Sequence, residues 1–145
     1  RPVLPLDCLG TARPHPQKTH PAGMQSHACH TVATEVLSSA EAEAELAALP
    51  ESEQLALLAA VEKLRVLGDQ LPYPHSSAVR GSHSGLRELC PRGGRSPRRA
   101  FYRRVGDRLV IGAIGPEAKR DPRGFARSAR LAAERIARVE QGGTP

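Results

Sequence analysis

Tryptophan is absent, and the only aromatic residues are Phe101, Phe125, Tyr73 and Tyr102, 3% of the chain. A hydrophobic core must therefore be built from Leu, Ala, Val and Ile, and 145 residues are enough for one modest core in one domain. Cysteine is scarce. Cys8, Cys29 and Cys90 are odd in number and far apart, which argues against a disulfide framework and for a reducing, cytoplasmic setting. Long apolar runs are missing too: none approaches the roughly 20 residues that a membrane span needs, and no basic amphipathic segment carries large apolar anchors. Residues 1–30 lack the charged-then-apolar pattern of a signal peptide.

What is abundant is arginine, and it is unevenly placed. Residues 1–86 carry 6 Lys+Arg against 9 Asp+Glu, a balance of −3, whereas residues 87–145 carry 15 against 6, a balance of +9. Basic charge gathered in one half of a domain favours a polyanionic partner, because neutralising phosphates releases condensed counterions. With no membrane-binding pattern present, nucleic acid is the expected polyanion.

Along the chain, residues 1–30 hold Pro2, Pro5, Pro14, Pro16 and Pro21 with little hydrophobic periodicity and read as a disordered tail, with Met24 a candidate natural start. His27, Cys29 and His30 lie close together, with Cys8, His15 and His20 upstream, but the spacing is irregular for zinc. A solvated tail is expected, and neither a metal nor a cofactor. The domain proper is expected over residues 31–141, with 142–145 frayed. An edge strand is possible at 32–37. Ser38 and Ser39 then offer N-caps for a helix with acids in its first turn, and Pro50 interrupts it. A second helix follows, with Leu57, Val61 and Leu64 as its stripe and Gly68 as its stop. The linker at 71–85 reads as loop, and its His75 and His83 as exposed loop histidines rather than proton-transfer groups.

The chain is organised around residues 85–122. Short runs bounded by Gly or Pro predict strands at 86–90, 99–104 and 108–114, with a tight hairpin at Val105, Gly106 and Asp107 and one sheet face of guanidinium groups. Asp121 and Pro122 then predict an N-cap and first position for a helix to about Glu140, burying Phe125, Ala129, Ala132 or Ala133, Ile136 and Val139. The expected fold is α+β: an N-terminal helix pair, a small antiparallel sheet of three to four strands, and a C-terminal helix.

This order of elements, with Leu64 and Gly68 ending a helix, Gly85-Leu86-Arg87-Glu88-Leu89, Arg99-x-Phe101-Tyr102 and Lys119-Arg120-x-Pro122, resembles the RelE/HigB superfamily of type II toxins, in particular its phage-derived HigB-like branch. The similarity covers roughly residues 35–139 and rests on the order and spacing of short phrases. It implies a RelE-like domain that cleaves messenger RNA, usually on the ribosome, and so inhibits translation. It also implies silencing by a helix-turn-helix antitoxin of the HigA type encoded beside it.

Attack of a 2′-hydroxyl on the adjacent phosphate builds negative charge on the phosphate oxygens, which fixed cations stabilise without a metal. Arginine serves better than lysine there, since its fork binds two oxygens and keeps its proton. The resemblance places Arg99 as the phosphate clamp, and Lys119 and Arg120 as groups that neutralise charge or protonate the leaving 5′-oxygen. Where the family's first strand ends in arginine this chain has Cys90, read as a small buried residue; either Arg87 or Arg92 substitutes for that arginine, or catalysis is weak. Arg92, Arg95, Arg103, Arg123 and Tyr102 are the expected RNA contacts, the last by stacking on a base or else as a core residue. The alternative is a non-catalytic RNA- or ribosome-binding module on the same fold. A DNA-binding role is left to a partner, since no helix-turn-helix pattern is present.

Overall fold

Ser39 sets the first boundary. Its backbone is extended (φ −65°, ψ 153°), its Oγ accepts from the Ala42 amide at 3.1 Å, and Glu41 and Glu43 lie in the first turn of the helix it caps. The computed structural model describes residues 32–81 and 85–145; the proposed tail, its His/Cys cluster and His83 lie outside the described residues. In these, strand β1 (Val36–Ser38) leads into helix α1 (Ala40–Ala47). Pro50 separates it from α2 (Glu51–Leu67), which buries Leu57, Ala60 and Leu64 with Val61 at the margin. Gly68 ends α2 at φ +54°, and a Cβ there would come within 2.8 Å of Thr34 Oγ1. Strands β2 (Ser76–Ala78), β3 (Arg87–Leu89), β4 (Arg98–Val105) and β5 (Arg108–Pro116) follow, then helix α3 (Pro122–Glu140). Asp121 caps α3 through Gly124 N at 2.8 Å, with Pro122 at its first position.

The α+β class is as expected, but the sheet is larger and mixed. Five strands run in the order β1-β5-β4-β3-β2, and β1 lies parallel to β5 while the other pairs are antiparallel. The helix pair is thus preceded by a strand. The extra strand, β2, falls in the stretch read as loop; Ser76, Ser77 and Ala78 carry little strand preference and are recruited by pairing with β3.

Both sheet faces are covered. Helices α1 and α2 pack on Leu89, Ala100, Tyr102, Leu109 and Ile111; α3 packs on Phe101, Val110 and Ala113, with Phe101 edge-on to Phe125 at 5.0 Å. The expected open face of guanidinium groups is therefore not formed. Side chains alternate along β4, so Arg99 and Arg103 share Phe101's face and are buried beside it. A bulge pairs Phe101 with Ala113 but Tyr102 with Ile111, leaving Gly112 as the additional residue of β5. Its carbonyl accepts from Ser39 Oγ and from Arg135 Nη1, each at 3.0 Å, which ties the strand to both helical layers.

Candidate active site

Pro91 begins a tight turn in which Arg92, Gly93 and Gly94 successively take positive φ (54°, 63° and 92°). The turn folds its carbonyls back over the first residues of β4. Arg99 meets them: Nη1 donates to Ser96 O at 2.6 Å and Arg98 O at 2.8 Å, and Nη2 to Gly94 O at 3.2 Å. Nη2 also pairs with Glu117 Oε2 at 3.0 Å, and Nε faces Glu88 Oε2 at 3.6 Å. Glu88 is placed by β3, whose register sets it opposite Phe101 and hence on Arg99's face; its Oε1 accepts from Ser77 Oγ at 2.7 Å. Glu117 follows the last residue of β5. Only 9% of the Arg99 side chain is exposed, against 19% and 18% for the two carboxylates. A guanidinium so enclosed is fixed in direction before any ligand arrives.

These groups open onto a depression of about 300 Å³, whose wall also includes Ser77, Cys90, Gly94 and Lys119. Lys119 is an exposed ammonium on the rim. Burial, reinforced by the Glu88 charge, pushes the Cys90 thiol up to about 11. At neutral pH it is a neutral, buried group, as the sequence suggested.

The other expected site residues are dispersed. Arg120 stands at the mouth, 71% exposed, its Nε 3.4 Å from Glu117 Oε1. Arg87 lies on the opposite sheet face, because neighbours in a strand point apart. It pairs in register with Tyr102, and its Nε donates to Ser76 Oγ at 3.1 Å. Tyr102 is buried and exchanges a 2.6 Å hydrogen bond with the same Ser76 hydroxyl, so its ring is core and has no face for a base. Arg92 reaches back to Glu53 Oε1 at 3.0 Å and pins the turn to α2, so it does not replace a basic residue at Cys90. Arg95 is exposed, with Nε on Arg92 O at 3.1 Å. Arg103 is buried against Glu140 at 2.9 Å rather than offered to RNA. Arg123 is exposed on α3, and His75 lies in a separate groove beside α2.

Sequence reasoning missed Glu88, Glu117 and Ser77. The signal for Glu88 was present only in part: alternation separates it from Arg87 and Leu89, but its meeting with Arg99 depends on the β3–β4 register. Among the described residues no group of three or more His, Cys, Asp or Glu is placed to hold a metal ion, and no helix is long and apolar enough to cross a membrane. The chain matches no family model and no curated protein.

The arrangement sets a proton acceptor, a rigid cation and a flexible cation around one small space. Glu88 supplies the carboxylate, Arg99 the oriented guanidinium, and Lys119 a proton donor able to swing on its four-carbon stem.

Proposed function

We propose that the chain is a metal-independent endoribonuclease of the RelE/HigB type, a cytoplasmic toxin that cleaves messenger RNA at the ribosome and is silenced by a helix-turn-helix antitoxin. The observation that carries this reading is the Glu88–Arg99–Glu117 constellation opening beside Lys119. Glu88 takes the proton of the ribose 2′-hydroxyl, whose oxygen attacks the adjacent phosphorus. The bond from phosphorus to the 5′-oxygen breaks, Lys119 gives that oxygen a proton, and the products are a 2′,3′-cyclic phosphate and a 5′-hydroxyl. Arg99 holds both carboxylates in place, and its fixed positive charge beside the depression offsets the charge gathering on phosphate without a direct N–H contact. Arg120 adds a second cation at the mouth. The order of a helix pair, antiparallel strands and a terminal helix supports the family reading, and the parallel edge strand β1 before the helix pair leaves that order intact.

A specific observation favours a second reading. Four of the five N–H groups of Arg99 donate to protein oxygens within 3.2 Å, and Nε lies 3.6 Å from Glu88 Oε2, as in an arginine that holds a loop. On that reading the domain binds RNA or the ribosome without cutting.

Inducible expression with mapping of transcript ends, and cleavage of ribosome-bound message by purified protein in EDTA, separate the two. The nuclease reading expects growth arrest and 5′-hydroxyl ends, with Glu88→Gln and Lys119→Ala each lowering the rate by about 10²- to 10³-fold. Ribosome binding without new ends favours the module, and neither arrest nor binding rejects both. Co-elution of the protein with its gene neighbour's product at low salt tests the antitoxin; failure to co-elute rejects it.

A further inference from the structure

The outward face of α3 carries cations that the fold does not use. Arg123, Arg127 and Arg130 recur at i, i+4 and i+7, so they form one stripe, opposite the buried Ala132 and Ile136. All three are exposed, and among the described residues no carboxylate lies within ion-pair distance of any of them. Farther along the same helix the pattern changes: Arg135 pairs with Glu45 at 2.8 Å and Arg138 with Glu41 at 2.5 Å. Those two arginines fasten α3 to α1. The first three fasten nothing.

Their placement also works against the helix. The first turn of α3 contains no acidic residue and begins with Arg123, where the macrodipole disfavours positive charge. Arg123 with Arg127, and Arg127 with Arg130, are like-charged neighbours at the spacings that repel. The Asp121 cap and Glu134, four residues after Arg130, offset only the two ends of this stripe, and the repulsion along it points to a role outside the fold.

We infer that this stripe is a track for the sugar-phosphate backbone of RNA outside the cleaved bond. The inference rests on the reading of the depression as an RNA site, because Lys119 on its rim and Arg120 at its mouth lead directly into Arg123. From Arg123 to Arg130 the helix rises about 10 Å, enough to meet two or three successive phosphates. Glu134, next on the same face, closes the track. A membrane or a protein partner would call for apolar anchors beside the charges; of the large exposed apolar residues among those described, Leu55, Leu58, Val66 and Leu67 lie on α2, Val32 and Tyr73 lie outside the helices, and none lies on α3.

The test is equilibrium binding of the full chain to a fluorescent 20-nucleotide 2′-O-methyl RNA, which cannot be cleaved, across a salt series. For R123Q/R127Q/R130Q the slope of log K against log salt becomes shallower by about 2, at about 0.7 per single-strand phosphate contact, and affinity falls at every salt concentration. For Arg138→Gln the slope changes by less than the stripe's per-residue decrement. An unchanged slope in the triple variant overturns the track. So does an equal per-residue loss at Arg138, which would mean bulk charge, and so does loss of binding to phosphatidylserine vesicles with RNA binding intact. Because the ligand is uncleavable, a slope change in a protein that never cuts RNA would uphold the track while rejecting the nuclease.

Discussion

Arg99 is both the best-placed cation of the depression and a structural fastening, and the two roles make opposite demands on a mutation. Removing it strands Glu88 and Glu117 in a half-buried site and releases three backbone carbonyls, so Arg99→Ala is expected to cost about 3–5 kcal/mol, as for breaking one side of a buried pair. A urea midpoint shift below about 1 kcal/mol would show that these contacts hold nothing. Relief of growth arrest by that substitution would report lost folding as well as lost chemistry, which is why Glu88→Gln and Lys119→Ala are the cleaner probes. Cys90, directly after β3 in the wall of the same depression, gives a pH-dependent prediction. In the folded chain its thiol keeps its proton until about pH 11, whereas in the unfolded chain it begins to lose it near its ordinary value of about 8.5. The unfolded state therefore binds fewer protons across that window, and stability falls as pH rises through it. Urea midpoints at pH 8 and pH 11 should drop farther for the wild type than for Cys90→Ala, and equal drops would place the thiol in water.

At the scale of elements, α3 approaches β5 so closely that glycine is required by space rather than by torsion. A Cβ on Gly112 would meet the backbone of Ala132 at 2.6 Å (its O) and 2.8 Å (its Cα), neither of which can move alone. Gly112→Ala is thus expected to push the helix off the strand and cost about 1–3 kcal/mol, the range for overpacked cores. Thermal unfolding measures it, and a neutral result would mean that the helix sits farther out. This glycine marks the limit of what the sequence discloses. The ends of α1, α2 and α3 were legible because Ser39, Pro50, Gly68, Asp121 and Pro122 act within a few residues of themselves, and the hairpin was legible from Gly106, which takes φ +64°. The apolar stripe of α3 followed from its period. Strand β2 was not legible, since its three residues carry no pattern and owe their conformation to β3. The bulge at Gly112 and the β3–β4 register are likewise set by distant partners. They decide that Glu88 joins Arg99 and that Arg87 does not, so the membership of the site escaped a reading that had found its central arginine.

Across the whole molecule the charge asymmetry has two destinations, and only one of them points outward. Five arginines of the basic half reach acids of the other: Arg92 to Glu53, Arg104 to Asp69, Arg108 to Glu35, Arg135 to Glu45 and Arg138 to Glu41. Much of the +9 is thus answered within the fold, which weakens composition as an argument for a polyanion and makes the unanswered stripe on α3 more informative than the total. The internal share has its own signature in acid. A hydrogen bond from Arg138 holds the Glu41 carboxyl below its ordinary value of 4.5, and the Ser96 hydroxyl, then Arg92, do the same for Glu53. With folded values depressed, the unfolded chain binds protons first as pH falls, so the stabilisation these groups give is complete above the ordinary value and is lost below it, down through their folded values. Urea midpoints measured from pH 6 to pH 3 should therefore fall more steeply for the wild type than for E41Q/E53Q, whose amides cannot titrate. Adding 1 M salt should shrink the Glu41 part of the difference more than the Glu53 part, because the Debye length drops to about 3 Å and Glu41 is the more exposed of the two. Parallel acid limbs would mean that the Glu41 and Glu53 pairs do nothing to hold the two halves of the chain together, leaving Arg92 and Arg138 as available to a ligand as Arg123, Arg127 and Arg130.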